Sequence, residues 1–130
     1  MTPEDPSGRT RTLTTPEQVD TFLRDHPKAV LLKLGSCHKN VVALREAETL
    51  LAARVDLELG LVRVLEARLA SDHVAALTGI VHESPQLILF RGGRAVFDRD
   101  NWDITPEAIV EGLAALDGVA EPAAALAERG

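Results

Sequence analysis

The chain is 130 residues and 14.0 kDa, enough for one domain with a single core. Its 45% hydrophobic and 26% charged residues exclude a disordered chain, and a formal charge of −6, from 14 Lys+Arg against 20 Asp+Glu, argues against nucleic-acid or membrane partners. Aromatic residues are 3% with no Tyr, so the core is aliphatic and stacking platforms for bases or sugars are disfavoured.

Residues 1–10, rich in Pro, Thr, Asp and Gly, read as a flexible N-terminal arm ahead of a domain over 11–117. Thr15-Pro16-Glu17-Gln18 joins an N-cap, a first-turn Pro and a capping-box Gln. It predicts a helix that buries Val19, Phe22 and Leu23 and stops before Pro27. Ala29 to Leu34 is an apolar run without alternation, the mark of a strand covered on both faces. A helix is expected from Val41 to Arg54, with Val41, Leu44, Ala47 and Leu51 near one face. A second strand falls at Leu61 to Leu65, and a helix capped by Ser71 runs through Val74 and Leu77 to Gly79. Strands at Leu87 to Phe90 and Ala95 to Asp98 flank Arg91-Gly92-Gly93-Arg94, a tight antiparallel hairpin. Thr105-Pro106-Glu107 caps a last helix with Ile109, Leu113 and Leu116 on its apolar face. Residues 118–130 form a helical or frayed C-terminal segment.

A strand–helix–strand unit implies a parallel pair, and the hairpin adds an antiparallel one. The expected fold is therefore α/β, a mixed four- to five-stranded sheet with helices on both faces.

Cys37 is the single cysteine and sits at a strand-to-helix junction. The partly positive helix N-terminus favours thiolate, the form that attacks disulfides. With no second thiol in the chain, any redox cycle must use a partner's thiol or a small thiol in solution. The bland alternative is a small buried hydrophobe. Asn40, three residues on, can hydrogen-bond a thiolate but cannot resolve a mixed disulfide. His38 and His82 with Cys37 make a weak set of N and S ligands without paired spacing, so no metal is expected. Pro85 opens a strand, where its missing N–H costs no ladder bond. A cis Ser84-Pro85 bond is not favoured by sequence alone, since cis is about 5–6% of X–Pro bonds in folded proteins.

The order of these features, a cysteine after the first central strand and an X-Pro before a Gly-Gly hairpin, is that of the thioredoxin fold. His82-Glu83-Ser84-Pro85-Gln86, Gly93 and Trp102-Asp103-Ile104-Thr105, with Lys33 on the strand before Cys37, resemble the monothiol bacilliredoxins over about residues 11–117. That resemblance implies thiol–disulfide exchange in which Cys37 removes bacillithiol from mixed disulfides on client proteins. Pro85 would be a cis-proline facing Cys37, and Ser84 and His82 would lie against the substrate. Trp102 would pack or cap the last helix rather than touch substrate. Gly35-Ser36-Cys37-His38-Lys39-Asn40 departs from the family pattern, with His where the family tends to have Pro and a turn about one residue shorter. Ser36, His38, Lys39 and Asn40 are then candidates for supporting the thiolate.

The resemblance implies bacillithiol as substrate with no tightly bound cofactor, bacillithiolated clients and a reducing thiol as partners, and no nucleic acid or membrane. A single cysteine and an N-terminus without the basic and apolar regions of a secretory signal suggest the cytoplasm. Two other readings stay open: a non-catalytic thioredoxin-fold binding module, and a cluster or metal carrier like monothiol glutaredoxins.

Overall fold

The structure, a computed structural model, describes residues 8–118. In chain order it contains β1 (Thr10–Thr12), α1 (Pro16–Asp25), β2 (Lys28–Leu34), α2 (His38–Ala53), β3 (Glu58–Arg63), α3 (Arg68–Thr78), β4 (Gln86–Arg91), β5 (Arg94–Asp100) and α4 (Pro106–Leu116). A 3₁₀ turn, Asn101–Asp103, joins β5 to α4. The strands lie in the order β1-β3-β2-β4-β5. The first three are parallel, and β4 and β5 each run antiparallel to their inner neighbour.

Alternation along the strands sends side chains to two cores. Val30, Leu32 and Leu34 join Leu87 and Leu89 under α2 and α4. Ala29 and Leu31 join Ile88 and Phe90 under α1 and α3. Covering on both faces is why β2 reads as an unbroken apolar run. The α1 cap is Thr15, whose hydroxyl accepts from Gln18 N at 3.1 Å. Gln18 reaches back one residue further than a simple capping box, accepting from Thr14 N at 2.7 Å. At the hairpin, Gly92 and Gly93 take φ of 61° and 80°, the left-handed pair that a two-residue turn between twisted strands requires.

Four boundaries differ from the sequence reading. Arg9 and Thr10, assigned there to the arm, belong to the sheet: Leu59 N donates to Arg9 O at 2.8 Å, and Thr10 pairs with Leu59. Helix α2 starts at His38 rather than Val41, so its buried face is Asn40, Ala43, Ala47, Leu50 and Leu51, and Val41 is 47% exposed. Strand β3 starts at Glu58 because it pairs with β2 from Ala29 onward, which leaves Leu65 outside the sheet and exposed. Helix α3 starts at Arg68, so Ser71 is a buried residue of its first turns and not its cap. Residues 1–7 of the expected arm and 119–130 of the expected C-terminal segment lie outside the described residues.

The lower pole, where β2 begins, is tied by charge. Arg54 at the end of α2 contacts Asp56 at 2.8 Å and Asp117 at 2.9 Å. Asp117, just past α4, also takes Lys28 at 3.1 Å. No helix among the described residues is long and apolar enough to cross a membrane.

Candidate active site

At the opposite pole, β2 ends at Leu34 and the chain turns through Gly35 and Ser36 into α2, with Cys37 as the N-cap residue. Asn40 braces this turn. Its side-chain Oδ1 accepts from Gly35 N at 2.6 Å, and its Nδ2 donates to Cys37 O at 3.0 Å and to Cys37 Sγ at 3.2 Å. The amide is buried while the thiol it holds is exposed. A buried amide with its groups satisfied fixes a geometry, so Sγ is presented to solvent from a stiff turn.

The facing wall is the loop before β4. The Ser84–Pro85 peptide is cis, and Pro85 is buried. On the side of the 3₁₀ turn and within itself the loop is held by Asn101 N to Pro85 O at 2.9 Å, Asn101 Nδ2 to Glu83 Oε1 at 3.1 Å, and Gln86 Nε2 to Val81 O at 2.8 Å. Asn101 takes φ 51°, a left-handed conformation that Asn tolerates better than most residues. Lys33 pairs with Gln86 across β2 and β4, and continuing that register by two residues brings Gly35 opposite Ser84. A Cβ on Gly35 would lie 2.9 Å from Ser84 Oγ and 3.5 Å from Asn40 Nδ2. Glycine thus leaves room for the Ser84 hydroxyl, so the turn before Cys37 and the Ser84 edge approach closely.

Behind this contact sits a fully buried lysine. Lys33 Nζ lies 3.2 Å from His82 Nδ1, and that imidazole nitrogen lies 3.4 Å from Ser71 Oγ on α3. Gln86, beside Lys33 on the same face, is also fully buried, and its Oε1 has no hydrogen-bond partner among the described residues. Burial pulls the Lys33 amine down to about 8 against the opposing pull of Asp72. Partial burial, then the Lys33 charge, lowers the His82 imidazole, with Glu83 and Asp72 opposing. Lys33 therefore binds its proton less tightly in the folded than in the unfolded chain, where the value is 10.5. Between about 8 and 10.5 the unfolded chain holds more protons, so stability rises with pH across that window. Across this range the unfolding free energy from urea titrations should rise with pH more steeply for the wild type than for Lys33→Met.

The structure brings Asn40 to both Cys37 and Gly35, and Ser84 to Gly35, with Pro85 buried next to Ser84 in the chain. It places the other expected site residues differently. Ser36 and His38 are exposed and Lys39 is half-buried. Among the described residues, the side chains of His38 and Lys39 make no hydrogen bond or ion pair, and the one side chain bonded to Cys37 Sγ is Asn40. The Nδ1 edge of His82 is engaged by Lys33 and Ser71 behind the loop. Trp102 is 62% exposed on the 3₁₀ turn, and the α4 cap is Thr105, whose hydroxyl accepts from Ala108 N at 3.1 Å. The sequence reading of Trp102 as a packing or capping residue is therefore corrected. Ser71, read from sequence as a helix cap, and Gln86, read as part of the His82–Gln86 motif, were not assigned to the site there, and neither were Asn101 and the contact role of Gly35. The one available signal was Lys33, a charge inside an apolar strand. No group of three or more His, Cys, Asp or Glu among the described residues could hold a metal ion.

A protein-family comparison matches residues 11–109 to the family described as Monothiol bacilliredoxin BrxC. A search of curated proteins finds no match. Among solved structures, one assigned as an oxidoreductase with a thioredoxin fold aligns with TM-score 0.76 and 25% identity, covering 82% of this chain and 96% of that one. Thioredoxin from Fasciola hepatica aligns with TM-score 0.67 and 15% identity, over 80% and 96% of the two chains. Mitochondrial thioredoxin 3 from Saccharomyces cerevisiae, in its oxidized form, gives 0.66 and 15%, over 79% and 92%. At such identities the last two speak to fold alone: an α/β thioredoxin-like sheet with helices on both faces.

Proposed function

Because the chain belongs to the monothiol bacilliredoxin family, a thiol-redox family built here on the thioredoxin fold, we propose that it removes bacillithiol from mixed disulfides on client proteins. The observation that carries this reading is the exposed Cys37 sulfur, held by the Asn40 amide beside the Ser84 edge. Cys37 first loses its proton to solvent. The thiolate attacks the bacillithiol sulfur of the mixed disulfide; a Cys37–bacillithiol bond forms, the old S–S bond breaks, and the client leaves as thiolate. A second thiol, the reducing partner, then attacks the bacillithiol sulfur on Cys37 and restores the free enzyme, carrying the bacillithiol away as a new disulfide.

The geometry supports a role for each residue. Asn40 donates to the sulfur at the start and end of each exchange, when it carries charge. Lys39 adds its charge at the helix start, where an anion is favoured, and His38 stands beside it. The Ser84 backbone offers an edge on which an extended client can pair, and His82 lies behind that edge. Bacillithiol is then substrate and not a bound cofactor, the partners are bacillithiolated proteins and a reducing thiol, and the setting is a reducing cytoplasm.

Intact-mass analysis tests the reading. Incubated with a peptide carrying a bacillithiol mixed disulfide, the protein should gain one bacillithiol as the peptide loses one. If the peptide keeps its bacillithiol and the protein's mass is unchanged, the reading fails in favour of a non-catalytic binding module.

The Gly35 contact gives a second expected outcome. Gly35→Ala puts a methyl 2.9 Å from Ser84 Oγ, so either that hydroxyl rotates away or the edge moves. Exchange with the peptide should slow, by up to roughly tenfold where the edge itself is displaced. Far-ultraviolet circular dichroism should remain that of the wild type.

A further inference from the structure

Within the exchange reading above, on which this inference rests, we propose that Lys33 is a positioning residue. By donating to His82 Nδ1, its buried amine fixes the loop over residues 81–85, and with it the Ser84 edge, against the Cys37 turn.

Lys33 and Gly35 stand two residues apart on one face of the strand, and each meets the same loop: Lys33 meets His82 at 3.2 Å, and Gly35 lies beneath Ser84. The loop is thus held behind and in front by a single strand. A lysine with no exposure is an expensive way to hold a loop if stability were the only return, since desolvating a charge costs more than burying an apolar chain of equal length. Its charged surroundings are sparse. Asp72 approaches from α3 and Glu83 from the loop, and both act on the pair only through space. The tautomer follows from the donors. A protonated Lys33 amine can only donate, so His82 Nδ1 accepts from it and the ring proton is on Nε2, whichever way the Ser71 hydroxyl turns. Gln86, opposite Lys33 in the register, adds a second tie through Val81 O. Its unpartnered Oε1 marks this as a polar pocket inside an apolar layer.

A merely structural lysine and a positioning lysine predict different results. The test uses the full chain as wild type, Lys33→Met, His82→Ala and His82→Asn, and reads two rates. One is exchange with an extended peptide carrying a bacillithiol mixed disulfide, which needs the Ser84 edge. The other is reaction with a small aromatic disulfide, which needs only the sulfur. The ratio of peptide rate to small-disulfide rate should fall about tenfold in Lys33→Met and in His82→Ala. The melting temperature of Lys33→Met should equal or exceed that of the wild type. His82→Asn, whose Oδ1 can accept in place of Nδ1, should restore most of the ratio. In the wild type the ratio should also fall as pH is lowered and His82 gains a proton on Nδ1, whereas Lys33→Met should be flat.

An unchanged ratio in Lys33→Met overturns the positioning role. So does an equal fall in both rates with a lowered melting temperature, which would mark a structural lysine. A wild type that reacts with neither disulfide overturns the exchange reading itself and this inference with it. A wild type that reacts with both, matched by Lys33→Met on both, overturns the role of Lys33 alone.

Discussion

Cys37→Ser protein should take up no bacillithiol from a disulfide donor, while unfolding in urea at a midpoint equal to or slightly above that of the wild type. The two halves of this result have separate causes. Only a thiolate attacks a disulfide sulfur at useful rates, and Cys37 is the chain's single cysteine, so no other thiol can substitute. The side chain is exposed, so exchanging sulfur for oxygen leaves no cavity. Cys37 is also the N-cap of α2 and makes no side-chain capping bond, whereas Ser is among the better capping residues. A gain of up to about 1 kcal/mol is expected on that account. Intact mass after treatment with bacillithiol disulfide reads the first half, and a urea titration the second. A serine variant that still gained bacillithiol would remove Cys37 from the mechanism.

Phe90→Ala should do the reverse, with a heavy loss of stability and an unaltered sulfur. Phe90 is 1% exposed, pairs with Ala29 on β2 and Ala95 on β5, and fills the layer under α1 and α3. Its neighbours across the sheet are alanines, too small to close the space it leaves. Truncation should cost about 3–5 kcal/mol. For a domain of this size the melting temperature should drop by about 15 °C or more. At 25 °C the folded fraction should still react with a small disulfide at the wild-type rate, because Phe90 lies at the hairpin end of β4 and Cys37 at the other end of the sheet. An unfolding free energy within about 0.5 kcal/mol of wild type, the effect of an ordinary surface change, would show that this layer repacks.

Much of the fold was legible because its signals are local. The caps at Thr15 and Thr105, the αL glycine ending α3 and the Gly92-Gly93 turn each act through neighbours in the chain. What was missed depends on pairing at a distance. Strand β1, Thr-Arg-Thr, has no apolar pattern and exists because Glu58–Arg63 leaves an edge beside it. The start of α2 was hidden because the polar Cys37-His38-Lys39 opens it, and the apolar pattern begins only at Val41. Of the site, Cys37 and its Asn40 neighbour could be read from spacing alone, since a helix turn brings residues three apart together. The engagement of His82 could not, because its partner Lys33 is 49 residues away in sequence. Lys33 was visible only as an anomaly, a charge in a run of aliphatic residues.

The ion cluster of Arg54, Asp56, Asp117 and Lys28 gives the two ends of the molecule different sensitivities to ionic strength. It is partly exposed, so at 1 M salt, where the Debye length is about 3 Å, its attraction is largely screened. At the reactive end the brace is the neutral Asn40 amide, bonded to backbone and sulfur, which salt does not screen. Concentrated salt should therefore loosen the pole where α2 and α4 end and leave the cysteine turn as it is.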